Sequence, residues 1–241
     1  MNKKDDNKKR LTNSEKGPDV FSPIIHRSLK DQIYDYLRQQ IQNGQLGQGK
    51  VINIDQTSSL LGVSRTPLRD ALLQLECEGL VTVTPRRGVI VRPLEHKDIK
   101  NFYQVIGALE ATALIAAGDH LEPSDISRMK EINVRMRQNL SKGKFDAVMS
   151  ANLEFHSIYL NLCENEMIQE IIERLRKRLH GFIPGALYIP EWEEQSIVEH
   201  ERLVEIIEHE SLLAAANYIR DVHWSYLAQK KFILQYYSTN G

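Results

Sequence analysis

The sequence predicts a mainly α-helical protein in two parts. A short unit of helices closed by a β-hairpin is followed by an all-α antiparallel helical bundle. Three observations predict this. Apolar residues recur at helical spacing along most of the 241 residues. β-Branched runs concentrate in one place, Leu80-Val81-Thr82-Val83 and Val89-Ile90-Val91, on either side of Pro85-Arg86-Arg87-Gly88. After Pro93, breakers (Gly118, Pro123, Gly143, Pro184, Gly185 and Pro190) divide long helical stretches with no strand pattern between them. With 41% hydrophobic and 26% charged residues, the chain can build packed cores.

The elements follow in order. Residues 1–22 are polar and broken by Gly17 and Pro18, too poor in apolar surface to order themselves, and are expected to form a mobile arm. A helix is expected from Ser28 to Asn43, with Leu29, Ile33, Tyr36, Leu37 and Ile41 on one face. Gln45–Asn53, with Gly47 and Gly49, is expected to be a loop. A short helix capped by Asp55 or Thr57 runs to Leu61, and Gly62 breaks it. Ser64 caps a third helix from about Arg65 to Glu78, with Leu68, Leu72 and Leu75 inward. The hairpin with its basic tip completes a winged helix-turn-helix over residues 23–92. Residues 93–241 form the bundle, with helices near 95–118, 123–141, 144–163, 165–182, 193–209 and 211–236.

Charge and cysteine usage narrow the function. The net charge of −1 hides an asymmetry: 15 basic against 10 acidic residues over 1–92, and 16 against 22 over 93–241. A basic front end on an acidic body suggests that the front meets a polyanion. Cys77 and Cys163 are far apart, with no CxxC spacing, so neither a zinc finger nor a disulfide framework is expected. No apolar run follows the basic N-terminal residues, and none approaches the roughly 20 residues of a membrane span. A cytoplasmic protein without membrane contact is expected.

The segment VSRTPLRDAL, Val63 to Leu72, carries the most specific signal. Arg65 and Arg69 share one helix face, four residues apart, and guanidinium forks match guanine O6 and N7 in the major groove. Ser64 and Thr66 offer short hydroxyls suited to phosphates near the helix N-terminus. Arg86 and Arg87 at the hairpin tip can enter the minor groove or hold the backbone, and Gly88 allows close approach. From about Ser28 to Val91 the sequence resembles the GntR family of bacterial regulators. Its helical second half resembles the FadR-like subgroup, whose effector domain is called FCD. The resemblance implies a transcription regulator, a repressor more often than not, that binds a double-stranded DNA operator as a homodimer under control of a small-molecule effector. The family's recognition residues map onto Ser64, Arg65, Thr66 and Arg69. One position departs: where FadR has an Arg near the start of the second helix, this chain has Asp55.

In the second half, three histidines fall on apolar stripes of three helices. His156 shares a face with Met149, Leu153 and Leu160, His200 with Leu203, Val204 and Ile207, and His223 with Ala216, Ile219 and Leu227. Asn152 lies one turn before His156. All three histidines should point inward, either as satisfied core residues or as ligands of one metal with open positions. The resemblance implies the second: many FCD domains bind a divalent metal through Asp or Asn four residues before a His, plus a His on each of the last two helices. Asn152, His156, His200 and His223 match that pattern, and imidazole-rich ligation suits zinc or nickel. Members of the group often carry an Arg four residues before a Glu on the first bundle helix. Here Glu110 is preceded by Ile106, so an effector held only by that arginine is not expected. A carboxylate on the metal, or another ligand class, stays open. His26, His96, His120, His180 and His209 match no ligand pattern. A metal-dependent enzyme and a protein-docking scaffold are the rival readings, and no HExxH supports the former.

Overall fold

The computed structural model describes residues 27–84, 88–181 and 188–238. The N-terminal arm, Arg86 and Arg87, and the Pro184-Gly185 breaker lie outside these residues.

Helix α1 spans Leu29–Gln42, and Ser28 caps it by accepting from Asp31 N–H at 3.1 Å. Its buried stripe is Ile33, Tyr34, Leu37 and Ile41. Leu29 and Tyr36, expected inward, are 47% and 45% exposed. The stripe is centred between Ile33 and Tyr34, about a third of a turn from Tyr36, and Tyr34 is drawn in by a buried hydrogen bond to Glu78 at 2.7 Å. The expected loop contains strand β1, Val51–Ile52, too short for any periodicity to reveal. Helix α2, Ile54–Leu61, is capped by Asn53, whose Oδ1 accepts from Asp55 and Gln56 N–H at 3.0 and 3.1 Å. This replaces the expected cap at Asp55 or Thr57. Helix α3, Arg65–Cys77, buries Leu68, Ala71, Leu72 and Leu75. Ser64 stands at its N-cap, but its hydroxyl makes no capping bond.

Strands β2, Val81–Thr84, and β3, Gly88–Val91, form the hairpin, and the sheet order is β1-β3-β2, antiparallel throughout. Gly88 has φ 87°, and a Cβ there would sit 3.4 Å from both Ile52 O and Val51 Cγ1. The glycine lets β3 turn out of the hairpin tip while lying close against β1. Ile33, Leu37, Leu68, Leu72, Leu80, Val89 and Val91 belong to one apolar core.

The second half is helical: α4 His96–Ala116 with a 3-10 turn Ala117–His120, α5 Pro123–Ser141, α6 Phe145–Leu162, α7 Glu166–His180, α8 Pro190–His209, α9 Leu212–Tyr218, a π turn Ile219–His223 and α10 Tyr226–Ser238. Capping boxes at Glu95/Asp98 and Glu122/Asp125 start α4 and α5, and prolines open α5 and α8. A second core runs through these helices, and Leu94 packs against both cores. The helix expected over 211–236 is broken. Trp224 N–H reaches back five residues to Ile219 O at 2.9 Å, and this inserted residue resets the register. Leu227, expected on the His223 face, is therefore 79% exposed, while α10 buries Gln229, Phe232, Ile233 and Tyr236.

Helix α7 joins the two halves. Every residue from Leu175 to His180 is at least partly buried, all round the helix. The buried Arg178 donates to Arg92 O at 3.1 Å and Pro93 O at 2.5 Å, on the chain segment between the two cores. Lys177 Nζ lies 3.6 Å from Glu78 Oε1 at the end of α3. A Cβ on Gly181 would stand 2.2 Å from Leu80 Cδ2, so only glycine lets α7 end against the hairpin.

Candidate functional site

Two sites stand at opposite ends of this connection. At the first, Ser64, Arg65, Thr66 and Arg69 are all exposed on the first turns of α3. Arg65, Arg69 and Gly88 line one shallow concavity together with Asn53 and Asp55. Arg69 also borders a neighbouring depression with Thr66 and Val83, so it stands between the helix and the wing. Asp55, the departure from the family pattern, is the ion-pair partner of Arg65, 2.8 Å from its Nε. Both side chains are about two-thirds exposed, so the pair restrains Arg65 weakly. Gly88 serves the packing of β3 on β1.

At the second, α6, α8 and the π turn bring His156, His200 and His223 together. One ring nitrogen from each lies within 4.8 Å of the others. The π turn matters here, because it delivers His223 beside α8 before α10 takes a new direction. The outer nitrogens of two rings are engaged: His156 Nδ1 lies 2.9 Å from Glu110 Oε2 and 2.6 Å from the Tyr159 hydroxyl, and His223 Nδ1 lies 2.8 Å from Glu199 Oε2. Carboxylates behind imidazoles fix the tautomer and turn Nε2 toward the common centre, the support usual behind metal-bound histidines. His200 Nε2 faces His156 Nε2 at 3.3 Å, and its ring stacks on Phe155 at 3.9 Å. Asn152 Oδ1 is buried with no hydrogen-bond partner among the described residues, so an acceptor is left over one turn before His156. Three convergent imidazole nitrogens and an orphaned amide oxygen are a donor set that fits a divalent transition ion.

Burial holds His156 down to about 4 despite Glu110, and pushes His200 well below the ordinary imidazole range. Both are neutral at physiological pH, the form that ligates metal. Burial alone would raise the Glu110 carboxyl; the charge that His156 takes on once it is protonated in acid, the Arg176 guanidinium and the hydrogen bonds from His156 and Tyr159 hold it well below the carboxylate range instead. Arg176, on α7, donates to Glu110 Oε1 and lies 5.8 Å from the Trp224 ring centroid. Glu199 is held by Gln195 and Gln229 at 2.7 and 2.9 Å.

Beside the histidines lies a cavity of about 90 Å³, lined by Asn152, Arg176, Glu193, Glu199, His223 and Trp224 among others. His180, which matched no ligand pattern, also borders it, held down to about 4 by burial and nearby arginines. Sequence reasoning missed Arg176. Its signal was its place four residues after Ile172 and three before Leu179, on the apolar stripe of α7. Glu199 gave no such signal, being next to His200 in sequence and reached only through tertiary packing.

Residues 29–91 match the family described as "Bacterial regulatory proteins, gntR family", and residues 101–222 match the FCD domain. The chain belongs to the GntR family. The FCD match takes in Asn152, His156 and His200 and ends one residue before His223. This GntR chain is 27% identical to the HTH-type transcriptional regulator McbR of Escherichia coli K12 over 196 residues, 81% of this chain and 85% of McbR. It is 25% identical to the uncharacterized HTH-type regulator YdhC of Bacillus subtilis over 190 residues, 78% and 84% of the two chains. The solved structure of E. coli McbR/YncC shares the fold, with TM-score 0.62, 22% identity, and 90% and 100% coverage. These relatives are transcriptional regulators, not enzymes, and this GntR chain is a transcription regulator with a DNA-binding winged domain and an FCD domain. Among the described residues no helix is long and apolar enough to cross a membrane.

Proposed function

We propose that this regulator is a cytoplasmic, homodimeric repressor whose operator affinity is set by a small ligand in the FCD domain. On this reading residues 23–92 bind DNA and residues 93–241 hold the effector and the dimer contact. Ser64, Arg65, Thr66 and Arg69 contact the operator from α3, and Arg86, Arg87 and Gly88 contact it from the wing. Asn152, His156, His200 and His223 hold one divalent ion, zinc or nickel. When bound, that ion offers open coordination positions to an oxygen of the effector. One short helix and one wing give few base contacts, so two subunits on a near-palindromic site are expected.

The observation that carries the reading is the position of α7. Arg176 faces the histidine cavity through Glu110, and two residues later Arg178 holds the segment leading to the winged domain. A ligand that draws Arg176 shifts the helix on which the winged domain is seated. Repression is the sense we assign, because it is the commoner outcome among regulators of this family. The test is selection of a binding sequence from a random DNA pool by the purified protein. Titrations of that sequence follow at several salt concentrations, with and without zinc. A steep salt dependence, sequence selectivity over at least tenfold and a two-subunit stoichiometry are expected. Salt-insensitive or unselective binding would refute the operator reading. Failure to take up zinc or nickel would remove the metal from it.

A further inference from the structure

We propose that Glu193 and the aromatic side chains around it line part of the effector cavity and select a ligand with a protonated amine, so that the effector is a small zwitterionic amino carboxylate. The inference rests on the effector reading above and deepens it.

Glu193 lies in the first turn of α8 and lines the same cavity as Arg176 and His223. Among the described residues its carboxylate has no hydrogen-bonding or ionic partner, whereas Glu110 and Glu199 are both tied to several groups. A largely desolvated carboxylate without a partner is costly to keep, and burial raises Glu193 to about 7. Its surroundings are rings: Tyr103, Trp192 and Tyr236 line the same cavity, and the Glu193 charge is felt at both tyrosines. Faces of Trp and Tyr beside a carboxylate suit an organic cation.

The same cavity also offers a place for an anion. Trp224 also borders the cavity, and its buried indole N–H has no acceptor among the described residues. Arg176 stands beside it. An unused acceptor, together with an unused donor beside a guanidinium, matches a ligand that carries both charges.

The local charge balance favours the same class. With an ammonium group beside it to hold Glu193 ionised, Glu110, Glu193 and Glu199 bring three negative charges and Arg176 one positive. A divalent ion on neutral imidazoles offsets the excess. A zwitterion keeps that balance, and a dicarboxylate adds two negative charges to a desolvated site. The volume, about 90 Å³, limits the ligand to a few heavy atoms beyond those that reach the metal.

The test uses the full-length, zinc-loaded protein and two matched series: glycine, β-alanine and 4-aminobutyrate, against acetate, propionate and butyrate. Malonate and succinate are added as dicarboxylates. Affinities come from calorimetry, with melting temperature as a second readout, for wild type and Glu193→Gln. At least one amino acid is expected to bind ten times more tightly than its amine-free partner in wild type. In Glu193→Gln that preference should fall to less than threefold, with zinc content and circular dichroism unchanged. Equal affinity within a pair, a preference that survives the substitution, or no binding of any amino acid would each overturn the inference. Tight binding of malonate or succinate alone would overturn it while leaving the effector reading intact. A protein that takes up no zinc but still prefers the amine through Glu193 would uphold it and remove only the metal.

Discussion

Replacing Arg178 with methionine tests whether α7 seats the winged domain. Methionine keeps the apolar stem and removes the guanidinium. Burial lowers Arg178 to about 10, so the group is still charged at neutral pH when it donates to Arg92 O and Pro93 O. A hydrogen bond from a charged donor contributes about 1.5–3 kcal/mol net. Two such bonds set an upper limit near 6 kcal/mol by the same figure. The real loss is smaller, because Arg92 and Pro93 are exposed residues whose carbonyls regain water, and the substitution relieves the burial of a cation. About 2 kcal/mol is expected, which is roughly a 30-fold fall in the ratio of docked to undocked states. The assay is native-state hydrogen exchange. Amides of residues 79–84 and 88–94 and of the last turn of α7 should exchange roughly 30 times faster, while those of α5 and α6 keep their wild-type rates. Unchanged exchange around Leu80 would refute the reasoning. A uniform acceleration throughout the chain would refute it too, since Arg178 would then stabilise the whole fold and not one contact.

Other outcomes follow from the same geometry. Arg69→Ala should weaken binding to the selected operator by about 1–3 kcal/mol, the cost of a lost bidentate base contact, whereas Asp55→Ala should strengthen it slightly by releasing Arg65; unchanged affinities by fluorescence anisotropy would remove both from the interface. His156→Ala, His200→Ala and His223→Ala should each lower zinc stoichiometry, and His209→Ala, at the exposed end of α8, should not; equal zinc content in all four by elemental analysis would leave the histidines as core residues. Without metal, the FCD domain should lose stability as pH falls from 6.5 toward 4. His156 and His180 bind their protons near 4 when folded and near 6.5 when unfolded, so the unfolded chain gains protons first. For His156 the limit is about 3 kcal/mol. Glu193, raised to about 7, acts in the opposite direction over part of this range. Melting temperatures from pH 7.5 to 4.5 measure the balance, and a flat profile would contradict buried neutral histidines.

The winged domain was legible because its elements carry local signals. Helical spacing located α1 and α3, glycines ended α2 and set off the hairpin, and β-branched runs gave β2 and β3. What escaped was tertiary: β1 exists only because β3 offers it hydrogen bonds, and Tyr34 is inward because Glu78 reaches it. The inward histidines were legible from stripes, as His156 and His200 are fully buried. Their environment was not. The resemblance marked Glu110 as a position of interest and put an arginine four residues before it, where this chain has Ile106, an apolar side chain in the core. The arginine comes instead from α7, across the bundle, 66 residues beyond Glu110. The π turn left no mark in the sequence pattern, so Leu227 was placed on the wrong face.

That substitution of one arginine for another changes what the site is able to transmit. An arginine on α4 would sit within the bundle and answer only to it. Arg176 sits on the helix that also touches the winged domain, and two residues turn a helix by about 200°, so Arg176 and Arg178 leave α7 on opposite sides. The two contacts are therefore mechanically joined by less than one turn of rigid backbone. If a ligand anion competes with Glu110 for Arg176, the strain relieved or imposed there reaches Arg92 and Pro93 without passing through a flexible segment. Linkage then fixes a quantitative consequence. Whatever factor the effector applies to operator affinity, the operator must apply to effector affinity, and Arg178→Met should reduce both factors equally. Measuring the factor from both directions in wild type and in this variant checks that reduction, and a variant whose factor equals the wild-type one would show that α7 is not the element joining the sites.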